Sequence, residues 1–145
     1  MDRKTLVQQW NEAEAKGLWA APWSKCVAGL TAAQAAWKPN PQRHCIWQLV
    51  HHITFWREHE LRNLAGTKPD ETEIARRNWE EAADSSVAAW SASVRRLDET
   101  YQHIAKAIAD ERNSLDRLQY LLPHDCYHFG QIMYVRALQG LASID

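Results

Sequence analysis

No stretch of this sequence approaches the roughly 20 apolar residues that a membrane-crossing helix needs. The opening residues, Met1-Asp2-Arg3-Lys4, lead into a polar amphipathic segment and not into the apolar centre of a secretion signal. The expectation is a cytoplasmic protein with no membrane partner. Cationic excess is missing too. Lysine and arginine total 17 against 18 aspartates and glutamates. No basic stripe gathers them, so there is little to neutralise a phosphate backbone, and nucleic-acid binding is set aside. Cysteine is scarce. Cys26, Cys45 and Cys126 are odd in number and lack CxxC spacing, which argues for reduced, mostly buried thiols and against a disulfide framework. Glycine and proline occur five times each. There are no β-branched runs, repeats or low-complexity tracts, and the composition favours helix throughout.

What is present suits one globular domain over residues 1–145. Apolar residues make up 46% and charged residues 24% of the chain, ordinary values for a folded protein able to sustain a core at this size. Eight tryptophans are many for the length. Most are expected in the core and between helices, where their volume fills space; some can wall a pocket.

Hydrophobic spacing predicts an all-α chain, a four-helix bundle with a long crossover connection between helices 2 and 3. The first helix is expected over residues 3–20, with Leu6, Trp10, Ala13 and Leu18 on its apolar side and Pro22 ending or kinking it. Thr31-Ala32-Ala33-Gln34 has the form of a capping box for a single turn. The second helix is expected over 45–65, with Ile46, Leu49, Val50, Ile53, Trp56, Leu61 and Leu64 on one face and Glu60 as the polar exception. Gly66 is its stop. Residues 67–83 read as a long connection with a helical turn around 74–79. The third helix, capped by Asp84 or Ser85, carries Val87, Trp90, Val94, Leu97, Tyr101, Ile104 and Ile108 as a seam. The fourth is expected after Ser114 and runs to Leu138. Pro123 falls inside it, as a kink or a restart.

His124 and His128 lie four residues apart on the fourth helix, so both rings face one way and can meet a single metal ion at about 2.0–2.1 Å. Such a pair alone is weak evidence. Leu121, Ile132 and Val135 lie on or near the same face, however, which turns it toward the interior, where histidines need partners. Cys126 stands 200° away on the helical wheel from each, so a His-Cys-His ligand set is rejected. The third ligand must come from another helix. His52 borders the apolar arc of the second helix, whereas His51 lies almost opposite it and is expected to face solvent. His59 is about 10.5 Å along the axis from His52, too far for the same ion, though able to hang over the site entrance. The plain alternative for His52 is an interfacial histidine bonded to a backbone carbonyl.

Three neutral imidazoles suit Zn²⁺, Ni²⁺, Cu²⁺ or Fe²⁺, and three protein ligands leave a position for water or substrate. His-Asp-Cys-Tyr-His is not the His-Glu-x-x-His of zinc proteases, so no general base is evident. Asp125 is expected to support a ligand or sit at the surface, and Gln131 to bond a ligand or line the site.

Ile46-Trp47-Gln48-Leu49-Val50-His51-His52-Ile53-Thr54-Phe55-Trp56-Arg57-Glu58 resembles the second-helix signature of the DinB-like (DinB/YfiT) superfamily. His124-Asp125-Cys126-Tyr127-His128-Phe129-Gly130-Gln131-Ile132 is similar to its fourth-helix signature, His-Asp-x-Tyr-His-x-Gly-Gln-Ile, here followed by Arg136 and Gly140. Residues 30–39 also fit its loop. The resemblance implies an up-down-down-up type bundle, a three-histidine divalent-metal site, often zinc or nickel, at His52, His124 and His128, and frequent homodimers. Of activity it implies less: thiol-dependent transferases or isomerases that use small thiols in some members, hydrolases in others.

Overall fold

The computed structural model describes residues 1–144. Every regular element among them is helical. Four long helices, α1 (Arg3–Ala15), α4 (Ile46–Leu64), α6 (Val87–Ala109) and α7 (Leu121–Leu138), alternate with the short α2 (Trp23–Cys26), α3 (Ala32–Ala36) and α5 (Glu71–Arg77). Helix α4 packs on α6 and α7, and α1 packs on the same two. The core between them holds Leu6, Trp10, Ile46, Ile53, Ile104 and Ile132, all fully buried.

The first helix stops at Ala15, five residues short of expectation. Gly17 is the reason. Its φ is +78°, and an added Cβ would lie 1.8 Å from the Ala20 carbonyl oxygen, so the chain turns where only glycine fits. Lys16 and Gly17 both donate their N–H to the Glu12 carbonyl and close the helix. Pro22 then caps the separate helix α2.

The expected capping box exists at Thr31 and Gln34. A second one, at the start of α4, uses a thiol. Cys45 Sγ accepts from the Gln48 N–H at 3.4 Å, and Gln48 Oε1 accepts from the Cys45 N–H at 3.1 Å. Burial pushes the Cys45 thiol pKa up, so it caps as a neutral group. Helix α4 is also buried over more than the expected face: Trp47, Thr54, Phe55 and Arg57 are covered along with Ile46 and Ile53. It touches α3, α6 and α7, so few directions are left open to solvent. Glu60 is buried but paired with Arg117 at 2.6 Å. Leu64, at the far end, is 39% exposed.

The connection from α4 to α6 spans residues 65–86. Its helix covers 71–77, earlier than the expected turn around 74–79, because Asp70 caps it through the Glu73 N–H. Ser86, not Asp84 or Ser85, caps α6; the Asp84 carboxylate instead accepts from the Ser86 N–H. Trp90, Leu97, Tyr101, Ile104 and Ile108 form the buried seam of α6, but Val87 in its first turn is 74% exposed. Helix α7 begins at Leu121, preceded by a 3-10 turn over Leu118–Tyr120. Ser114 caps only a local turn, through the Asp116 N–H. Pro123 is therefore the third residue of α7. Its missing N–H falls among the first four, which have no intrahelical partner anyway, and no kink is required. No helix among the described residues is long and apolar enough to cross a membrane.

Candidate metal centre

His52 sits about a third of the way along α4, and the first two turns of α7 carry His124 and His128. One nitrogen from each lies within 4.8 Å of the other two. His52 and His128 are buried; His124 is half-buried. His52 Nε2 and His124 Nε2 are 3.3 Å apart. A tetrahedral ion with bonds of about 2.0–2.1 Å spaces two ligand atoms roughly 3.3–3.4 Å apart. The three residues singled out in the sequence are thus brought together, and the His52–His124 separation fits such an ion.

The other nitrogen of each ring decides what this convergence means. His52 Nδ1 is 2.8 Å from the Asn78 backbone oxygen, His124 Nδ1 is 2.8 Å from Asp125 Oδ1, and His128 Nδ1 is 2.7 Å from Gln131 Oε1. A carbonyl, a carboxylate and an amide oxygen only accept, so all three Nδ1 atoms donate and carry the proton. The neutral rings then leave all three Nε2 lone pairs free, and those of His52 and His124 face each other. Lone pairs at 3.3 Å repel unless a cation lies between them: a metal ion, or a proton that makes one ring an imidazolium. Burial opposes the proton at His52, where the Asn78 carbonyl only partly offsets it and the two neighbouring imidazoles add to it; its pKa is lowered to about 4. Burial likewise lowers His128.

A layer of partners holds these rings. Asp125 has no exposed surface and lies between His124 and Arg57, whose Nε donates to Asp125 Oδ2 at 2.7 Å. The surface alternative for Asp125 is therefore overturned. Arg57 Nη1 donates to the Leu97 carbonyl at 3.0 Å, and the guanidinium lies 5.3 Å from the Trp10 ring and 5.5 Å from Trp23. Gln131 bonds His128 and also donates to the Tyr127 hydroxyl at 3.2 Å. Trp79, from the α4–α6 connection, stacks on His52 with ring centres 3.7 Å apart, and His44 stacks on its other face at 3.9 Å. Trp56 donates to the Asn78 side-chain oxygen at 2.9 Å, which holds the same connection in place. Arg57, Asn78 and Trp79 were missed by sequence reasoning. Arg57 had a signal, as the first full charge on α4 after residues 46–56, which carry none. Asn78 and Trp79 had none, since only the path of the connection brings them to His52.

The remaining histidines stay apart from this cluster. His51 is not simply solvated. Its Nε2 lies 3.0 Å from Ser93 Oγ and its Nδ1 3.2 Å from the Glu80 carbonyl, which ties α4 to α6 and to the connection. His59 is buried against Trp56 and Glu60 and does not hang over an entrance. Cys126 is exposed and outside the cluster, as the wheel predicts. A cavity of about 360 Å³ beside His124 is lined by Trp56, Tyr120, Leu121, Arg117 and Glu60.

No curated protein and no solved structure matches the chain. A family model described as the DinB superfamily matches residues 20–132, a span that takes in α4 and the His124–His128 segment. With the two helix signatures in order and their histidines gathered at one point, the chain belongs to the DinB superfamily.

Proposed function

We propose that this protein is a metal-dependent enzyme in which His52, His124 and His128 hold one divalent ion, zinc or nickel, and leave a coordination position for a substrate. The observation that carries this reading is the commitment of the three imidazoles: every Nδ1 has an acceptor, which leaves each Nε2 available for an ion where the three rings gather. The framework is a single-domain four-helix bundle of α1, α4, α6 and α7, with residues 65–86 as a long crossover. A bound ion supplies Lewis acidity, which lowers the pKa of a water or thiol that reaches it. The reaction class is thiol-dependent transfer or hydrolysis on a small molecule, carried out by a cytoplasmic homodimer.

The chain's own residues have definable parts in this reading. Asp125 and Gln131 hold the proton on Nδ1 of His124 and His128, and so keep each Nε2 free. The Asn78 carbonyl does the same for His52, and Trp79 stacks on its ring and covers it from water. The cavity beside His124 gives a small substrate an aromatic wall at Trp56 and Tyr120.

Two measurements test the proposal. Metal analysis of the purified chain should find one ion per protomer, and a metal-free wild type would remove the reading altogether. Thiol-transfer and esterase-type assays should then show activity in the wild type and its loss in His128→Ala. Equal rates in the two proteins would leave a metal-binding protein without catalysis.

A further inference from the structure

A second cleft, of about 580 Å³, opens between the 37–45 segment and α7. Its volume suits one small ligand. Leu49 and Val135, both buried, give it an apolar floor that Leu138 extends. Its wall is built rather than loose. Lys38 pairs with Glu81 at 2.6 Å, His44 stacks on Trp79, and the Asn40 side chain accepts from the Gln42 N–H at 2.9 Å.

Charge distinguishes this cleft from the three other cavities that an arginine lines. The cavity beside His124 is lined by Glu60 and Asp116, the one beside His51 by Glu58 and Glu80, and the one beside Arg57 by Glu14 and Asp98. The arginines lining those three are each bound to a carboxylate: Arg117 to Glu60, Arg77 and Arg96 to Glu58, and Arg57 to Asp125. The 580 Å³ cleft has no acidic lining residue. Its arginine, Arg43, is exposed, and among the described residues its guanidinium has no hydrogen bond and no ion pair. A free guanidinium at the rim of an apolar trough is matched by a molecule with an apolar body and one anionic end.

We propose that this cleft is a binding site for a small apolar carboxylate, with Arg43 taking the carboxylate and Leu49, Val135 and Leu138 taking the body. None of the three clustered histidines lines the cleft, but Gln131, which bonds His128, and His44, which stacks on Trp79, do, so the cleft adjoins the candidate metal centre while its proposed contacts, Arg43, Leu49, Val135 and Leu138, lie outside it.

Calorimetric titration of the full chain with sodium octanoate, 1-octanol and acetate separates the contributions. Octanoate should saturate at one per protomer, and octanol and acetate should each bind at least about tenfold more weakly, because each lacks one half of the recognition. Arg43→Glu should weaken octanoate about tenfold or more and leave octanol unchanged. Leu138→Trp, at a half-exposed position, should fill the trough and weaken both. Circular dichroism melts check that the variants remain folded. Octanol binding as tightly as octanoate, or octanoate binding to Arg43→Glu as to the wild type, would overturn the proposal. Metal content measured on the same samples reports separately on the metal centre, so octanoate binding to a metal-free chain would sink that reading and leave this one standing.

Discussion

Asp125 joins the candidate metal centre to the interior. Its two oxygens take hydrogen bonds from His124 and from Arg57, and neither Asp125 nor Arg57 is more than 1% exposed. Removing one partner of such a pair strands the other charge away from water. Asp125→Ala should therefore cost about 3–5 kcal/mol in urea denaturation, and should weaken zinc binding about 10–100-fold in a competitive chelator titration. A loss confined to stability would show that Asp125 does not hold His124 for the ion. The wheel left the role of Asp125 open because it reports direction around one helix, whereas Arg57 reaches it from another. His52 sets the pH response. Its pKa is about 4 in the folded chain against 6.5 ordinarily, so between those values the unfolded chain binds more protons. The His52 contribution to the stability of the metal-free protein should be full above pH 6.5 and fall by roughly 3 kcal/mol as pH drops to about 4; below that, carboxylates held low by their partners, such as Glu60 and Asp110, continue the decline. Burial acts on His128 in the same direction. Denaturation midpoints measured from pH 7.5 to 4 check this, and His52→Phe should flatten the slope.

Among the elements, α4 packs against α3, α6 and α7 at once. Its start depends on a thiol cap. Cys45→Ala should cost about 0.5–1 kcal/mol in a thermal melt, and Cys45→Ser should cost less, since a hydroxyl oxygen is the preferred acceptor there. An equal loss in both variants would point to packing of the sulfur instead. Periodicity identified α4 and the buried seam of α6 because their apolar residues recur at helical spacing. It overran α1 because Gly17 acts through a left-handed turn rather than through hydrophobic pattern. It began α7 too early because residues 115–120 carry no strong stop, and the 3-10 turn there follows from packing. The connection over 65–86 was legible as a connection with a helical turn, which the structure places a few residues earlier at 71–77, but its polar composition gave no direction in space.

At the scale of the whole molecule, the candidate ligands bridge two helices: His52 is on α4, while His124 and His128 are on α7. An ion bound only by the folded arrangement stabilises that arrangement by mass action. Zinc at about 1,000 times its dissociation constant should add roughly 4 kcal/mol to the metal-free protein, a rise of about 10–15 °C in Tm. His52→Ala should lose most of that gain, because the two remaining histidines lie on a single helix and hold no second element. An unchanged Tm on adding zinc to the wild type would contradict a three-histidine site that joins α4 to α7.

The all-helical class, the identity of three converging histidines and the exclusion of Cys126 were already determined by the order of residues, because helical periodicity converts spacing directly into direction around an axis. The pairing of Asp125 with Arg57, the stacking of His44, Trp79 and His52, and the free charge of Arg43 beside an apolar cleft were decided only by the tertiary structure. Each depends on how far one segment lies from another across the fold, a distance that no periodicity within a single helix encodes.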